Sequence, residues 1–326
     1  LITTISDDEN VDKSGLFLNL ENDDIPEPVI VTAFSEDFSL QAKRLITSIR
    51  QYWPHQVIII YDLGLDESNI QLFKSLCNII YRKFDFNKYP PVVSNLYSYR
   101  WKPIIIAEVL QEYKAIWYVD SSVIFKKNDL NHVYELMRCP SKMLIPEIAD
   151  RDLREQFTPL ENGWNIETWM RNIAECRKST YLFHGYSGHG IFSATNPGTY
   201  KFIPTNFDEI KKPKAKMYEA GIVYVIQTAE TIRNILKWYV ACALEEQCMA
   251  PSNAKLQCNF DENDRFGKYA NCHRYDQSVV NLLAANAFLY DRHYYVSEIV
   301  DFFGVVRANN YFINSGSFIL SCNNSI

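Results

Sequence analysis

Short apolar runs alternate with helical patterns between Pro28 and Phe125, and this alternation constrains the fold more than any other feature of the sequence. The runs PVIVTAF, QVIIIYD and NIIYRKFDF, and the run Ile116–Val119, have the length and the β-branched content of buried strands. The segments between them carry apolar residues three and four positions apart, which is typical of helices. This order predicts an α/β fold with a mostly parallel central sheet and helices on both faces.

Single residues predict where the helices begin and end. Ser35 is expected to cap the first helix, which Pro54 ends, and Asp66 to cap a second helix that runs to Cys77. Pro103 suits the first turn of the next helix, where its missing N–H leaves no hydrogen bond unmade.

The second half of the chain is less regular. GIVYVIQT predicts a strand, ETIRNILKWYVACAL a helix that starts at Thr228 or Thr231, and RYDQSVVNLLAAN a helix that begins near Asp276. The sequence has no internal repeat. We therefore expect a single domain over residues 26–326, behind an acidic stem or tail at residues 1–25.

Composition excludes several classes of function. The net charge of −6 and the pI near 5.6 give no basic surface for nucleic acid. Neither G-x-G-x-x-G nor G-x-x-x-x-G-K-[ST] occurs, so a dinucleotide enzyme and a P-loop enzyme are not indicated. No apolar run is long enough to cross a membrane. Because the first residue is Leu1, the chain is expected to be a fragment, and an N-terminal signal or membrane anchor could have been left off.

The eight cysteines are an even number, which permits disulfides. Four of them lie close together in the sequence, without the C-x-x-C pairs of a structural zinc site: Cys242, Cys248, Cys258 and Cys272. We expect two disulfides among these four, in one of three pairings, and hence an oxidising compartment. A single N-x-S glycosylation triplet at Asn323 agrees with this expectation.

Asp120 follows the apolar strand Ile116–Val119 directly, and two serines follow it. In open α/β sheets, ligands bind outside the carboxyl ends of the strands, so Asp120 is a candidate site residue. The alternative is that Asp120 is a turn residue which bonds its own backbone.

Three blocks of sequence resemble the glycosyltransferases of the GT-A fold. YRWKPIIIAEVLQEYKAIWYVDSSVIF resembles their helix with basic residues and the following strand with an Asp-x-Asp metal motif. MYEAGIVYVIQTAETIRNIL and HRYDQSVVNLL are similar to later blocks of glycogenin-like transferases, in the same order. YDLGL, YRWKP and CHRYDQS also resemble a nematode-expanded family of presumed glycosyltransferases of unassigned substrate.

The resemblance implies a hexosyltransferase that moves a sugar from a nucleotide sugar, expected to be a UDP-sugar, to a glycan or glycoprotein acceptor. It divides the domain into a nucleotide-binding half, about residues 26–130, and an acceptor half, about 131–326. The expected location is the Golgi or another secretory lumen, as a type II membrane protein in full length, or else outside the cell. The alternative is an inactive protein of the same fold that binds glycans or proteins at the cell surface.

A diphosphate leaving group needs positive charge, from a divalent cation or from Arg and Lys. The resemblance implies that Asp120 and Ser122 bind Mn²⁺ or Mg²⁺ and that Arg100 and Lys102 meet phosphates. Asp-x-Ser replaces Asp-x-Asp here, so metal binding is expected to be weak or dispensable. The alternative for Arg100 and Lys102 is a solvated helix start.

The ends of the first two predicted strands are expected to hold the nucleotide. Ala33 and Phe34 end the first strand and suit a nearby base, while Asp62 ends the second and suits a base N–H or a ribose hydroxyl. Asp62-Leu63-Gly64 is equally compatible with a simple turn.

Glu219 and Asp276 are the carboxylates expected to act in sugar transfer, next to the donor-binding residues Gly221 and Gln277. The family resembled commonly has an amide at the position of Glu219, so the alternative is that Glu219 binds donor hydroxyls or orients the acceptor. Asp276 is also well placed to cap its helix. His273 is expected to be a hydrogen-bonded structural histidine beside a disulfide; the alternative is that it binds phosphate or donates to Asp276. The remaining histidines of interest, His184 and His189, fit either an acceptor pocket or a tight turn.

Overall fold

The computed structural model describes residues 17–20, 22–137, 171, 178–306 and 318–322. The glycosylation triplet at Asn323 lies outside these residues, as does most of the predicted acidic stem. Leu18, Leu20 and Ile25 pack against the domain, and the backbone N–H of Leu18 donates to the carbonyl of Gln227 at 2.9 Å. The packed part of the chain therefore begins before residue 26.

Six strands form the central sheet, in the spatial order β3-β2-β1-β4-β9-β6. Their ranges are β1 Val29–Phe34, β2 Ile58–Asp62, β3 Ile79–Lys83, β4 Ala115–Val119, β6 Tyr181–Leu182 and β9 Ile222–Ile226. The strands β1 to β4 are parallel to one another, and β9 runs antiparallel to both of its neighbours. This is the α/β fold with a mostly parallel sheet that the sequence predicts.

Both faces of the sheet are covered, which explains why its strands are apolar without alternation. Val31 and Ala33 of β1 point into one apolar cluster, while Ile30 and Phe34 point into the other. The helix α1, Ser39–Tyr52, packs on the second cluster, and α3, Trp101–Tyr113, packs on the first.

The remaining elements surround this sheet. The other helices are α2 Glu67–Ser75, α4 Asn131–Tyr134, α5 Phe207–Ile210, α6 Lys237–Leu244, α7 Glu246–Met249 and α8 Asp276–Ala287. Two small antiparallel sheets pair β5, Val123–Phe125, with β10, Phe303–Val305, and β7, Tyr186–Gly190, with β8, Lys216–Tyr218. Within the described ranges, no helix is both long and apolar enough to cross a membrane.

The predicted helix boundaries hold at some positions and not at others. Asp66 caps α2 as expected, since its side chain accepts from the backbone N–H of Asn69 at 2.8 Å. Ser35 does not cap α1, because a 3-10 turn, Glu36–Phe38, comes between them and the Ser35 side chain makes no capping bond. Thr228, rather than Thr231, caps the later helix, which opens with a π-helical stretch before α6.

Candidate functional site

Three charged side chains meet at the carboxyl end of β4. Lys102 lies in the first turn of α3, Asp120 follows β4, and Asp276 is the first residue of α8. The Nζ atom of Lys102 is 3.1 Å from Oδ1 of Asp120 and 2.7 Å from Oδ2 of Asp276. We call these three residues the Lys102 cluster. Because Asp276 is far from Lys102 and Asp120 in the sequence, the three side chains come together only in the folded chain.

The members of the Lys102 cluster differ in their contact with solvent. The side chain of Asp120 is 32% exposed, whereas those of Lys102 and Asp276 are 3% and 7% exposed. Asp120 is therefore the member of the Lys102 cluster that is most accessible to solvent.

Two tyrosines with left-handed backbones lie next to the Lys102 cluster. Tyr99 has φ 53° and Tyr275 has φ 46°, a region that residues other than glycine seldom adopt. The carbonyl of Tyr99 accepts from the backbone N–H of Lys102, and Tyr275 immediately precedes Asp276. Such conformations cost free energy and often occur at functional sites. Their presence here supports the Lys102 cluster as a candidate functional site.

Both carboxylates of the Lys102 cluster stabilise the charged form of Lys102. Burial alone would lower the pKa of the Lys102 ammonium, but Asp120 and Asp276 outweigh burial and raise that pKa. Burial raises the pKa of the Asp276 carboxyl, and its ion pair with Lys102 opposes the rise. Lys102 is therefore protonated at neutral pH, and it compensates one of the two carboxylates that it contacts.

Tyr118 completes the surroundings of Asp120, and it is a residue that the sequence analysis missed. Its hydroxyl donates to Oδ1 of Asp120 at 3.1 Å. Burial and the nearby Asp120 carboxylate raise the pKa of Tyr118 well above its ordinary value, so the hydroxyl remains a donor. The two residues are two positions apart and share one face of the chain, a spacing that could have identified Tyr118.

Gly221 lies against Asp120 because β9 pairs with β4. The backbone N–H of Asp120 donates to the carbonyl of Gly221 at 2.7 Å. A Cβ at position 221 would lie 2.9 Å from Oδ2 of Asp120, closer than packed atoms approach. Glycine at position 221 therefore leaves the space that the Asp120 carboxylate occupies.

The segment 219–221 also reaches α8. Oε1 of Gln277 accepts from the backbone N–H of Ala220 at 3.4 Å, and Nε2 of Gln277 donates to Ser187 at 3.3 Å. Glu219 donates its backbone N–H to the carbonyl of Gly185 at 2.8 Å, and its carboxylate packs beside that glycine. Of the predicted residues, Glu219, Gly221 and Gln277 therefore lie on the segments that surround the Lys102 cluster.

The expectation that Arg100 meets phosphate is wrong. Its guanidinium is buried and donates to the backbone carbonyls of Ala243, Glu245 and Glu246 at 2.6 to 2.8 Å. These carbonyls lie at the end of α6 and the start of α7, where they need donors. The solvated helix start is also wrong for both Arg100 and Lys102, since both residues are only 2% exposed.

The strand ends β1 and β2 do not present their predicted residues to a nucleotide. Phe34 is buried and packs edge-on against Phe73 in the core, and Ala33 is buried in the opposite cluster. Oδ1 of Asp62 accepts from the backbone N–H groups of Gly64 and Leu65, both at 2.7 Å, and Oδ2 accepts from Tyr81. Asp62 is thus the turn residue that the sequence left open as an alternative.

The residues at the end of β4 fit a divalent metal poorly. Asp120 is the one carboxylate of the Asp-x-Ser motif, and it already binds Lys102 and Tyr118. Ser122 offers a hydroxyl, and its carbonyl accepts from the backbone N–H of Val306. In the described part of the chain, no group of three or more His, Cys, Asp or Glu side chains could hold a metal ion.

The three histidines considered in the sequence analysis, His184, His189 and His273, are all buried. His184 stacks on Trp117, and His189 stacks on Phe260, so each packs against a different aromatic ring. Nδ1 of His273 accepts from the backbone N–H of Asn196, and Nε2 bonds the carbonyl of Met249. His273 is therefore the structural histidine that the sequence predicts.

The four clustered cysteines are bonded among themselves. Cys242 pairs with Cys248, and Cys258 pairs with Cys272, which selects one of the three possible pairings. A third disulfide, which the sequence analysis did not predict, joins Cys77 to Cys322.

Comparisons with known proteins give a family without an assigned function and several distant similarities in structure. Residues 2–107 match a family described as "Protein of unknown function (DUF1647)". No curated protein has a matching sequence.

Three of the solved structures with distant similarity to this chain are glycosyltransferases. The galactosyltransferase LgtC, in complex with donor and acceptor sugar analogs, is 15% identical over 86% of this chain and 87% of its own, with a TM-score of 0.38. Mouse xyloside xylosyltransferase 1 is 13% identical over 81% of this chain and 82% of its own, with a TM-score of 0.42. The bifunctional glycosyltransferase WbbM is 15% identical over 82% of this chain, with a TM-score of 0.38, and the match spans only 38% of WbbM.

Proposed function

We propose that this protein is a glycosyltransferase that moves a hexose from a nucleotide sugar, with a UDP-sugar as the expected donor, to a glycan or glycoprotein acceptor. The observation that carries the proposal is the Lys102 cluster, which lies at the carboxyl end of β4 where α/β sheets bind ligands. The sequence resemblance to GT-A glycosyltransferases involves the same segments.

Asp120 is the residue proposed to face the donor. Lys102 and Tyr118 hold its carboxylate in one orientation, so it can accept hydrogen bonds from donor hydroxyls without reorganising. The Lys102 ammonium lies behind Asp120 and reduces the negative charge that a diphosphate would meet. Lys102 thus acts on phosphate through its charge, in place of the direct contact expected from the sequence.

Transfer breaks the bond from the anomeric carbon to the phosphate oxygen and forms a bond to the acceptor oxygen. The acceptor loses a proton, and the diphosphate leaves with the bonding electron pair. Glu219 and Asp276 remain the proposed carboxylates for this step, and Gly221 and Gln277 are proposed to lie beside the donor sugar. Asp276 has a further part as the buried partner that fixes Lys102.

The disulfides bear on location. Three disulfides within the described ranges suit an oxidising compartment, and we propose the secretory pathway, with the Golgi lumen as the expected site. A membrane anchor preceding this chain, as in a type II protein, is part of the same proposal.

The second candidate is an inactive relative of such enzymes that binds glycans or proteins at the cell surface. One observation favours it: the Asp-x-Ser motif has a single carboxylate, and Lys102 already binds it. Both functions allow sugar or nucleotide binding, so only turnover of a donor distinguishes the enzyme from the inactive relative.

The test is donor turnover, measured as hydrolysis and as transfer to simple sugar acceptors over a panel of UDP- and GDP-sugars. An enzyme releases nucleoside diphosphate from at least one donor. Melting curves with UDP and GDP accompany the assay, since a ligand of the folded state raises the melting temperature. A folded protein that binds sugars and is inert toward every donor would favour the second candidate.

A further inference from the structure

The space between Asp120 and Asp276 is where a divalent cation would have to lie to bind both carboxylates. The ammonium of Lys102 lies there instead, 3.1 and 3.3 Å from the two oxygens of Asp120 and 2.7 Å from Asp276. We propose that the Lys102 ammonium occupies this site permanently in place of a metal ion, and that the protein binds a nucleoside diphosphate without a divalent metal. The part that concerns nucleotide rests on the proposed function.

The surroundings of Nζ suit an ammonium better than a hard metal ion. Nζ lies 5.5 Å from the ring centroid of Tyr99 and 5.2 Å from that of Tyr118. Aromatic faces attract ammonium groups, whereas Mg²⁺ and Mn²⁺ require oxygen ligands around them. The two rings are therefore partners that an ammonium uses and a metal ion would not.

Lys102 is also fixed in this place. Its side chain is 3% exposed, and its backbone belongs to the first turn of α3, which is buried on the core. The ammonium gains two ion pairs here, so a metal ion could take its place only if the buried Lys102 side chain moved away and lost both of them. Lys102 is therefore a permanent part of the site.

Asp120 has little left to offer a metal. Its Oδ1 accepts from both Lys102 and Tyr118, and Gly221 packs closely against Oδ2. A divalent ion on its exposed side would have one carboxylate and the Ser122 hydroxyl, and it would lie close to a positive charge. This position should bind metal weakly.

The direct test is Mn²⁺ binding, measured by electron paramagnetic resonance on the parent protein and on Lys102→Met. Methionine has a similar length and no charge, so Lys102→Met leaves both carboxylates without their cation. We expect Lys102→Met to bind Mn²⁺ about tenfold or more tightly than the parent, because an adjacent positive charge is removed. The control is Lys212→Met, which removes an exposed ammonium from the surface residue Glu209 and should leave Mn²⁺ binding unchanged.

The parent protein alone decides the question if Lys102→Met does not fold. Absence of tight, saturable Mn²⁺ binding to the parent supports the proposal. Tight binding to the parent that Asp120→Asn abolishes would overturn it. A melting-temperature rise with UDP or GDP that is equal in chelator and in Mn²⁺ gives further support, and a rise that needs Mn²⁺ contradicts it. If neither nucleotide raises the melting temperature in either condition, the proposed function fails, and the Mn²⁺ measurements still decide the role of Lys102.

Discussion

At the scale of single residues, Gly221 is the position in the site that leaves least room for change. Alanine there would place a methyl group 2.9 Å from Oδ2 of Asp120, whose carboxylate is held by Lys102 and Tyr118. The carboxylate must then move and weaken these contacts. We expect Gly221→Ala to lower the free energy of unfolding by roughly 1–3 kcal/mol, measured by urea denaturation.

A double-mutant cycle separates this clash from other effects of the alanine. Asp120→Ala removes the carboxylate, so adding Gly221→Ala to it should cost much less than in the parent. Equal costs in both backgrounds would show that Gly221 is needed for some reason other than room for Asp120.

Residue types alone identify some of the site and miss the rest for physical reasons. Asp120, Lys102 and Asp276 each follow from local signals, at a strand end and at two helix starts. Their mutual contact depends on how β4, α3 and α8 pack, which local sequence does not encode. Arg100 illustrates the same limit. Residues two positions apart in a helical turn point in different directions, so Lys102 reaches the sheet edge while Arg100 reaches the end of α6.

At the scale of elements, His273 ties three segments together, and this predicts acid sensitivity. It bonds Asn196 and Met249 and adjoins the disulfide at Cys272. Burial lowers the pKa of His273 to about 4, against an ordinary value of about 6.5. Between these pH values the unfolded state binds a proton that the folded state does not. The free energy of unfolding therefore falls as the pH drops from 6.5 to 4.

The measurement is urea unfolding across this pH range for the parent and for His273→Gln. We expect the parent to lose up to roughly 3 kcal/mol more than His273→Gln between the two pH values. The control is His55→Gln at an exposed histidine, which should follow the parent. Parallel curves for the parent and His273→Gln would contradict this account of His273.

The elements themselves follow well from the sequence where tertiary contacts agree with local preference. The strands β1 to β4 and the helices α2, α3 and α8 lie where apolar periodicity and capping residues predict them. The role of Asp62 does not follow from local sequence, because a strand-end carboxylate has the same sequence signal whether it bonds its own turn or a ligand.

At the scale of the whole molecule, the disulfide Cys77–Cys322 closes the longest loop among the three disulfides of the described residues. It spans 245 residues and ties the segment after α2 to the last described residues, whereas Cys242–Cys248 spans six. If loss of loop entropy in the unfolded chain dominates, the long loop contributes roughly 5 kcal/mol and the short one roughly 2 kcal/mol.

The test is urea unfolding, under oxidising conditions, of two double variants in which both cysteines of one disulfide are replaced by serine. It compares the loss of stability when the long loop and the short loop are opened. We expect the Cys77→Ser, Cys322→Ser pair to be the more destabilised of the two. A larger loss from the Cys242→Ser, Cys248→Ser pair would mean that local packing around α6 outweighs loop entropy.

The central claim is that the Lys102 cluster carries out sugar transfer, and amide variants of its carboxylates test this most directly. Asp120→Asn and Asp276→Asn keep the side-chain shape and remove the charge, and Asp208→Asn is a matched change at an exposed aspartate. Turnover of the preferred sugar nucleotide is compared for all four proteins, with melting curves to identify loss of folding. The account predicts that both cluster variants lose turnover by about 100-fold or more while Asp208→Asn retains it, because interactions made in the transition state appear in the rate constant. Turnover that is unchanged in a folded Asp120→Asn protein would contradict the account.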